Sequence, residues 1–288
     1  MPVVRSPVVV ATAGAFRPGE KTATLSMIAC AEDFRIRVTA KGRIPMAERS
    51  GGVPNGLVNF RDLGGLPVEN GVTTRHGVLL RGDAPYEGDR HPEEATHWPP
   101  RAVIDLRDTG TESDAVHPLE GVSTVHRIPL LEGLRGESGE DPWLTLSELY
   151  GHMLDFAPKR LLETFRIAVE TDGPVLVHCA AGKDRTGVVC ALLLRTAGVR
   201  YDAVVADYTH TDRNMSQVLR RLRITPELPP GVEESDVNEL VSAPAYAIEH
   251  ALQRVESHRD GAAGWLMRHG ASPDEIESWR RRFLLPGE

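Results

Sequence analysis

Cys179 and Arg185 stand six positions apart in the stretch VHCAAGKDRTGV, residues 177–188. A thiol can attack an electrophilic centre, and a guanidinium can fork two hydrogen bonds onto one oxyanion. Residues between them are small: Ala180, Ala181 and Gly182. Small residues let consecutive backbone N–H groups turn inward as an anion nest. A helix that starts just after the loop adds its dipole and its free amides. Such a bowl fits a tetrahedral dianion, with the sulfur beneath its central atom.

The same field lowers the thiol pKa, so Cys179 is expected as a thiolate, the competent nucleophile. The chemistry that follows is phosphoryl transfer onto sulfur, then hydrolysis. Arg185 and the loop amides would stabilise the equatorial charge of both transition states. Ala180, Ala181, Gly182, Lys183, Thr186 and Gly187 are expected around the bound anion. The Thr186 hydroxyl is close enough in sequence to help the sulfur leave, and His178 braces the loop rather than acting as a base. Two other readings are weaker. A nucleotide-binding loop needs GxxxxGK followed by Ser or Thr, but Val177 stands at the first glycine and Asp184 follows Lys183. A Cys after a strand is often a buried small hydrophobe, but that reading leaves the placed Gly, Arg and Thr unexplained.

The segment HCAAGKDRTG resembles the HCxxGxxRT/S-G phosphate loop of the protein tyrosine phosphatase superfamily. Its GKDRTG form is similar to a bacterial subgroup typified by protein tyrosine phosphatase B. Flanking segments share the likeness: NFRDLGG (59–65), LLRGDAP (79–85), VIDLRDTGTE (103–112), ADYTHTDRNM (206–215) and GWLMRHGASPDEIESWRRRFL (264–284). Together they cover roughly residues 57–285. The resemblance implies a cysteine-phosphatase fold acting on phosphotyrosine proteins, with phosphoserine/threonine and phosphoinositides as further substrate classes. The alternatives are a dedicated phosphoinositide phosphatase and a pseudoenzyme that binds phosphate without turnover, against which the intact Cys179, Arg185 and Thr186 argue. The resemblance also disfavours a rhodanese-type sulfurtransferase, which uses a similar cradle.

Leaving-group departure needs an acid near the ester oxygen. The WPD loop of classical tyrosine phosphatases has no match here. HWPP (97–100) carries Pro100 where the Asp should be, and DPW (141–143) is reversed. The resemblance points instead to Asp184, inside the loop. The competing role for Asp184 is to pair with Lys183 or to cap the following helix. Asp105 and Asp108 are reserves at the end of a strand, where sites in such sheets collect. Asp105 fits equally well as a buried partner for an Arg. Lys183, by the resemblance, would meet a second phosphate on an inositol ring, with a solvated lysine as the alternative. Arg61 would bind a flanking anion or pair with Asp62 or another carboxylate. The resemblance further implies a helical lid within residues 201–256. Cys190, on the apolar helix, reads as a buried structural thiol rather than a resolving cysteine.

The elements that must position these groups follow from the pattern. GVLLR (77–81), AVIDL (102–106), VSTVHRI (122–128) and the run before Cys179 read as strands. LTLSELYGHMLDF and RLLETFRIAVE carry apolar residues at helical steps. RTGVVCALLLRTAG is an apolar helix with Gly198 as its C-cap. The last third is helical, broken by ITPELPPGVEESD. Ile248, Leu252 and Val255 form one stripe, and Ser272, Pro273 and Glu275 make a capping-box start. The predicted fold is α/β: a central, mostly parallel sheet flanked by helices, with C-terminal helices after the lid. Residues 1–50 show no clear period and are expected as a poorly structured tail, with Met46 as a candidate start; 51–288 form a single domain.

Composition agrees with that reading. The formal net charge of −8 argues against a nucleic-acid surface but leaves room for a locally positive pocket. Three cysteines, with no CxxC pair, make neither a disulfide framework nor a zinc site. No cofactor or metal is called for. No run is long enough for stable membrane insertion. Pro7 interrupts the short apolar N-terminal stretch, which disfavours a signal peptide. A cytoplasmic location is the default, and export without a recognisable signal is left open. Oligomeric state is not legible.

Overall fold

The computed structural model describes residues 12–13, 22–26, 37–41, 54–108, 116–132, 145–222 and 242–287. Met46, Cys30, the DPW segment and the ITPELPPGVEESD break lie outside these residues, as do residues 223–241 of the expected lid.

The sequence showed no strand period before residue 50, yet β1 (Thr12–Ala13), β2 (Thr22–Ser26) and β3 (Arg37–Lys41) pair there as a small antiparallel sheet. Runs this short give almost no alternation to read.

The central sheet has the order β4-β5-β8-β6-β7. It comprises β4 (Arg61–Asp62), β5 (Leu79–Gly82), β6 (Ala102–Asp105), β7 (Thr124–Arg127) and β8 (Val175–His178). Only the β4–β5 pair is antiparallel. Strands β5, β6 and β8 are buried along their whole length, as central strands covered on both faces must be. Edge strand β7 is partly exposed. The two-residue β4 was not predicted, being too short to carry a pattern.

Alternation divides the side chains between two layers. Leu79, Ile104, Val175 and Val177 join the main core with the helices. Leu80, Val103 and Leu176 face the other way, onto Phe60, Leu57, Trp98 and Leu119, all outside helices. The HWPP segment lies in this second layer, where Trp98 meets Phe60 edge-on.

The helical layer contains α1 (Leu146–Phe156), α2 (Pro158–Glu170), α3 (Asp184–Ala197), α4 (Tyr201–His210) and α5 (Asp212–Leu222). It continues with α6 (Ala245–Glu256), α7 (Gly261–Arg268) and α8 (Pro273–Phe283). Helix α3 is its centre, packing on β5 and β8 and against α4, α6, α7 and α8. Its apolar sequence leaves twelve of its residues buried, and Gly198 ends it in the left-handed conformation at φ 89°. The Ser272–Glu275 capping box forms as predicted, and Ile276, Trp279 and Phe283 bury behind it. Ile248, Leu252 and Val255 are likewise core residues. Among the described residues no helix is long and apolar enough to cross a membrane.

Candidate active site

Strand β8 ends at His178, Cys179 follows, and α3 begins at Asp184. The intervening loop therefore lies at the carboxyl ends of the parallel strands, where open α/β sheets build their sites. Its outward carbonyls are pinned one after another. The Cys179 carbonyl meets His178 Nδ1 at 3.1 Å. The Ala180 carbonyl accepts the Ala84 N–H at 3.1 Å. Asn59 Nδ2 donates to the carbonyls of Ala181 (3.0 Å) and Gly182 (3.2 Å). Arg81 Nη2 adds a second donor to Gly182, at 2.8 Å. In a trans peptide the N–H opposes the C=O, so these bonds turn the next four amides, Ala180 to Lys183, to the loop's other side. Four successive amides held this way make an anion nest.

Gly182 is required by this packing. Its φ is +71°, and a Cβ there would lie 2.4 Å from the Gly82 carbonyl oxygen. Gly187 serves a different contact: a Cβ would come 2.9 Å from the Tyr208 ring.

Cys179 is buried, at 2% exposure. Arg185 sits in the first turn of α3 and turns toward the end of β6. Its Nη1 lies 3.3 Å from the Leu106 carbonyl and 3.6 Å from Asp108 Oδ2. Asp108 thus accompanies the arginine and also accepts the Leu131 N–H. The Thr186 hydroxyl is buried with no hydrogen-bond partner among the described residues.

Asp184 is the partly exposed carboxylate of the loop, at 23% of its side chain. Tyr150 in α1 donates to its Oδ1 at 2.7 Å. The Tyr150 hydroxyl also lies 2.6 Å from that of Tyr208, so the Tyr208 proton points to Tyr150. Burial first, then the nearby Asp184 charge, raises both phenols well above their usual value, so each keeps its proton. Lys183 is not a solvated lysine. It is buried, with its ammonium 3.1 Å from Asp184 Oδ1 and 3.1 Å from the Ser242 carbonyl just before α6.

Arg61 does not pair with its neighbour Asp62. It bonds Asp207 through Nε (2.6 Å) and Asn59 Oδ1 through Nη1 (2.9 Å). Asp62 instead accepts the N–H groups of Gly64 and Gly77. Asp207 also receives Arg81, so one buried carboxylate serves two arginines. Burial pushes the Asp207 carboxyl up, but the two guanidiniums outweigh it and hold it below the usual range. Asp105 is fully buried and gripped by Arg107 through Nε (2.9 Å) and Nη2 (2.7 Å). Burial raises its pKa as well, but His178 and Arg107 bring it far below the ordinary carboxylate range. That leaves Asp105 without a proton to donate. Cys190 is fully buried within α3, and burial pushes its thiol up to about 12.

Sequence reasoning missed Asn59, Arg81, Asp83, His117, Tyr150, Asp207 and Tyr208. Several lie in NFRDLGG, LLRGDAP and ADYTHTDRNM, which drew attention only as likenesses. Their convergence on one loop is what those segments share. Asp83 accepts the N–H groups of Val58 and Asn59, and faces Arg221 Nε at 2.7 Å.

A parallel sheet that delivers a cysteine into a cradle of pinned amides, with an arginine on the next helical turn, defines the cysteine-phosphatase fold. Residues 54–285 match the model of the tyrosine phosphatase family, and the chain belongs to that family. It is 32% identical over 198 residues to the triple specificity protein phosphatase PtpB of Mycobacterium tuberculosis, covering 62% of this chain and 70% of that protein. Over 65 residues it is 45% identical to a tyrosine-protein phosphatase of Nostoc commune, 22% of either chain. The protein is a protein-tyrosine phosphatase.

Proposed function

We propose that the protein hydrolyses phosphotyrosine through a phosphocysteine intermediate on Cys179. The carrying observation is the run of carbonyls from Cys179 to Gly182, each bonded away from the bowl. In the first step the Cys179 sulfur attacks phosphorus, an S–P bond forms and the P–O bond to the phenol breaks. Asp184 gives its proton to the departing oxygen. In the second step water attacks the same phosphorus, its proton passes to Asp184, and the S–P bond breaks to release phosphate and the thiolate. Arg185 and the amides following Cys179 hold the equatorial oxygens in both steps. The thiolate form of Cys179 is the nucleophile. Thr186 is placed by its sequence position to assist the sulfur as it leaves.

The Mycobacterium tuberculosis relative is named a triple specificity protein phosphatase, which supports a substrate class wider than phosphotyrosine. The GKDRTG form of the loop leads us to extend it to phosphoserine/threonine and phosphoinositides. Lys183 supports the lipid part only if its ammonium leaves Ser242 and turns to the substrate.

The test is phosphate release from a phosphotyrosine peptide, phosphoserine and phosphothreonine peptides, and a phosphoinositide panel, with EDTA present. Wild type, Cys179→Ser and Asp184→Asn are compared. Turnover that survives EDTA and disappears in Cys179→Ser is expected. Asp184→Asn should lose activity on phenols of high pKa and retain it on nitrophenyl esters. Wild-type turnover unaffected by Cys179→Ser would overturn the reading.

A further inference from the structure

Two buried histidines meet behind the phosphate loop, and the mechanism uses neither. His117 and His178 are 1% and 0% exposed, and their Nε2 atoms are 3.1 Å apart. We infer that His117 is a positioning residue for the phosphate loop, holding the His178 ring in place and through it the peptide after Cys179. The inference rests on the phosphatase reading of Cys179.

The partners assign every proton. Leu119 N–H points at His117 Nδ1, 3.1 Å away, so that nitrogen accepts. The neutral His117 ring then carries its proton on Nε2. The carbonyl of Cys179 can only accept, so His178 Nδ1 must be the N–H. His178 Nε2 is left as an acceptor, and the His117 Nε2–H faces it. The chain therefore runs in one direction: Leu119 N–H to His117, His117 to His178, His178 to the Cys179 carbonyl. Which nitrogen of an imidazole bears the proton is set by the bond the other makes. Without that donor the buried His178 Nε2 has no partner, which is unfavourable, and the ring is no longer held at its far end and gains by turning. The Cys179 carbonyl would then lose its donor. The Cys179–Ala180 peptide would be free to rotate, and the Ala180 N–H with it.

Other groups facing the pair do not replace this link. Asp105 Oδ1 lies 3.9 Å from His178 Nε2, beyond hydrogen-bond reach, and the Asp105 carboxylate is held by Arg107. Arg107, Arg127 and Arg185 are the neighbouring cations and disfavour protonation of either ring. Glu120 bonds the His117 backbone rather than its ring. Asp105, His117 and His178 bring one metal-binding atom each within 4.8 Å of one another. The N–H between the rings and the Arg107 grip on Asp105 already account for those atoms.

The experiment uses the full chain labelled with 15N-histidine, with His117→Gln and His117→Phe beside wild type. Gln keeps a donor near the Nε2 position; Phe keeps the ring and removes the donor. Long-range nitrogen–proton correlation reports the His178 tautomer and the solvent exchange of its N–H, and steady-state hydrolysis of a phosphotyrosine peptide reports kcat and KM. Wild type and His117→Gln should show the Nδ1–H form of His178, with kcat within about threefold of each other. His117→Phe should show faster solvent exchange of the His178 Nδ1–H, whose bond to the Cys179 carbonyl is no longer held in line, and lose up to ~100-fold in kcat, the scale of a misplaced catalytic group. An Nε2–H form in wild type overturns the inference without any variant or any turnover. So does His117→Phe with unchanged Nδ1–H exchange, or Gln and Phe variants equally impaired. The tautomer and exchange readouts do not depend on activity, so failure of the phosphatase reading would appear separately, as wild-type turnover indifferent to Cys179→Ser.

Discussion

Arg81 reaches from β5 to the carbonyl of Gly182, 2.8 Å away, while its other amino nitrogen rests on Asp207 of α4. A fully buried cation thus joins the sheet, the phosphate loop and the helical layer. Replacing it with Met removes the loop's donor and leaves Asp207 with Arg61 alone. Breaking a buried pair costs about 3–5 kcal/mol, and the remaining arginine places this case near ~3 kcal/mol. Urea unfolding of Arg81→Met should show that loss, together with a lower kcat. A variant as stable as wild type would mean that the Arg81–Asp207 pair adds nothing net.

Gly182→Ala tests the loop from inside. The left-handed φ and the approach of Gly82 leave no room for a Cβ. Backbone strain of this kind costs on the order of 1–3 kcal/mol. Thermal unfolding should report that decrease, and phosphate release should fall further than stability does, because the strained atoms belong to the nest. Full activity in Gly182→Ala would show that the loop tolerates a shift.

Tyr150 donates to Asp184 and is itself approached by Tyr208. Tyr150→Phe keeps the ring packed and removes the hydroxyl. We expect ~10-fold lower kcat on phenols of high pKa and little change on nitrophenyl esters, a fraction of what general acid catalysis supplies. The plot of log kcat against leaving-group pKa is the measurement. A parallel drop for all leaving groups would assign Tyr150 to packing alone.

The histidine pair makes stability depend on pH. Burial lowers His178 from 6.5 to about 4 and His117 from 6.5 to about 3. Between pH 6.5 and 4 the unfolded chain takes up protons that the native rings refuse, so stability falls as pH falls through that window. Each ring contributes a slope of up to about 1.4 kcal/mol per pH unit. Asp207 acts lower: its depressed pKa adds stability that is complete above about 4 and is lost below it. Chemical denaturation from pH 7 to 4 should show a steady decline, shallower in His117→Gln. A flat profile would mean the rings titrate normally.

Cys190 should be inert. Burial raises its thiol to about 12, even beside Arg81. Native-state alkylation at pH 8 followed by peptide mapping should leave Cys190 unlabelled until the chain is unfolded. Labelling of the folded protein would place it in an accessible site.

Contiguous residues determined the strand–loop–helix unit around Cys179. An apolar strand, a small-residue turn and an apolar helix are local, so Cys179, Gly182, Arg185 and the Gly198 cap follow from a stretch read in order. The Ser272–Glu275 box is local in the same way. Tertiary structure alone decided what holds that unit. Asn59 lies 122 residues from the Ala181 carbonyl, and Arg81 lies 101 from Gly182. Only the strand order β4-β5-β8-β6-β7 brings β5 beside β8 and the Asn59 segment over the loop. The same distance hid the partners of Arg61 and Asp184. Arg61 has Asp62 next to it in the chain, but successive strand residues point to opposite faces, and it finds Asp207 across the layer. Tyr150 reaches Asp184 because α1 packs beside α3. A local pattern encodes a cysteine and the loop that cradles it. Which carbonyl is pinned, and by which buried donor, depends on pairings that form only when distant segments are brought together.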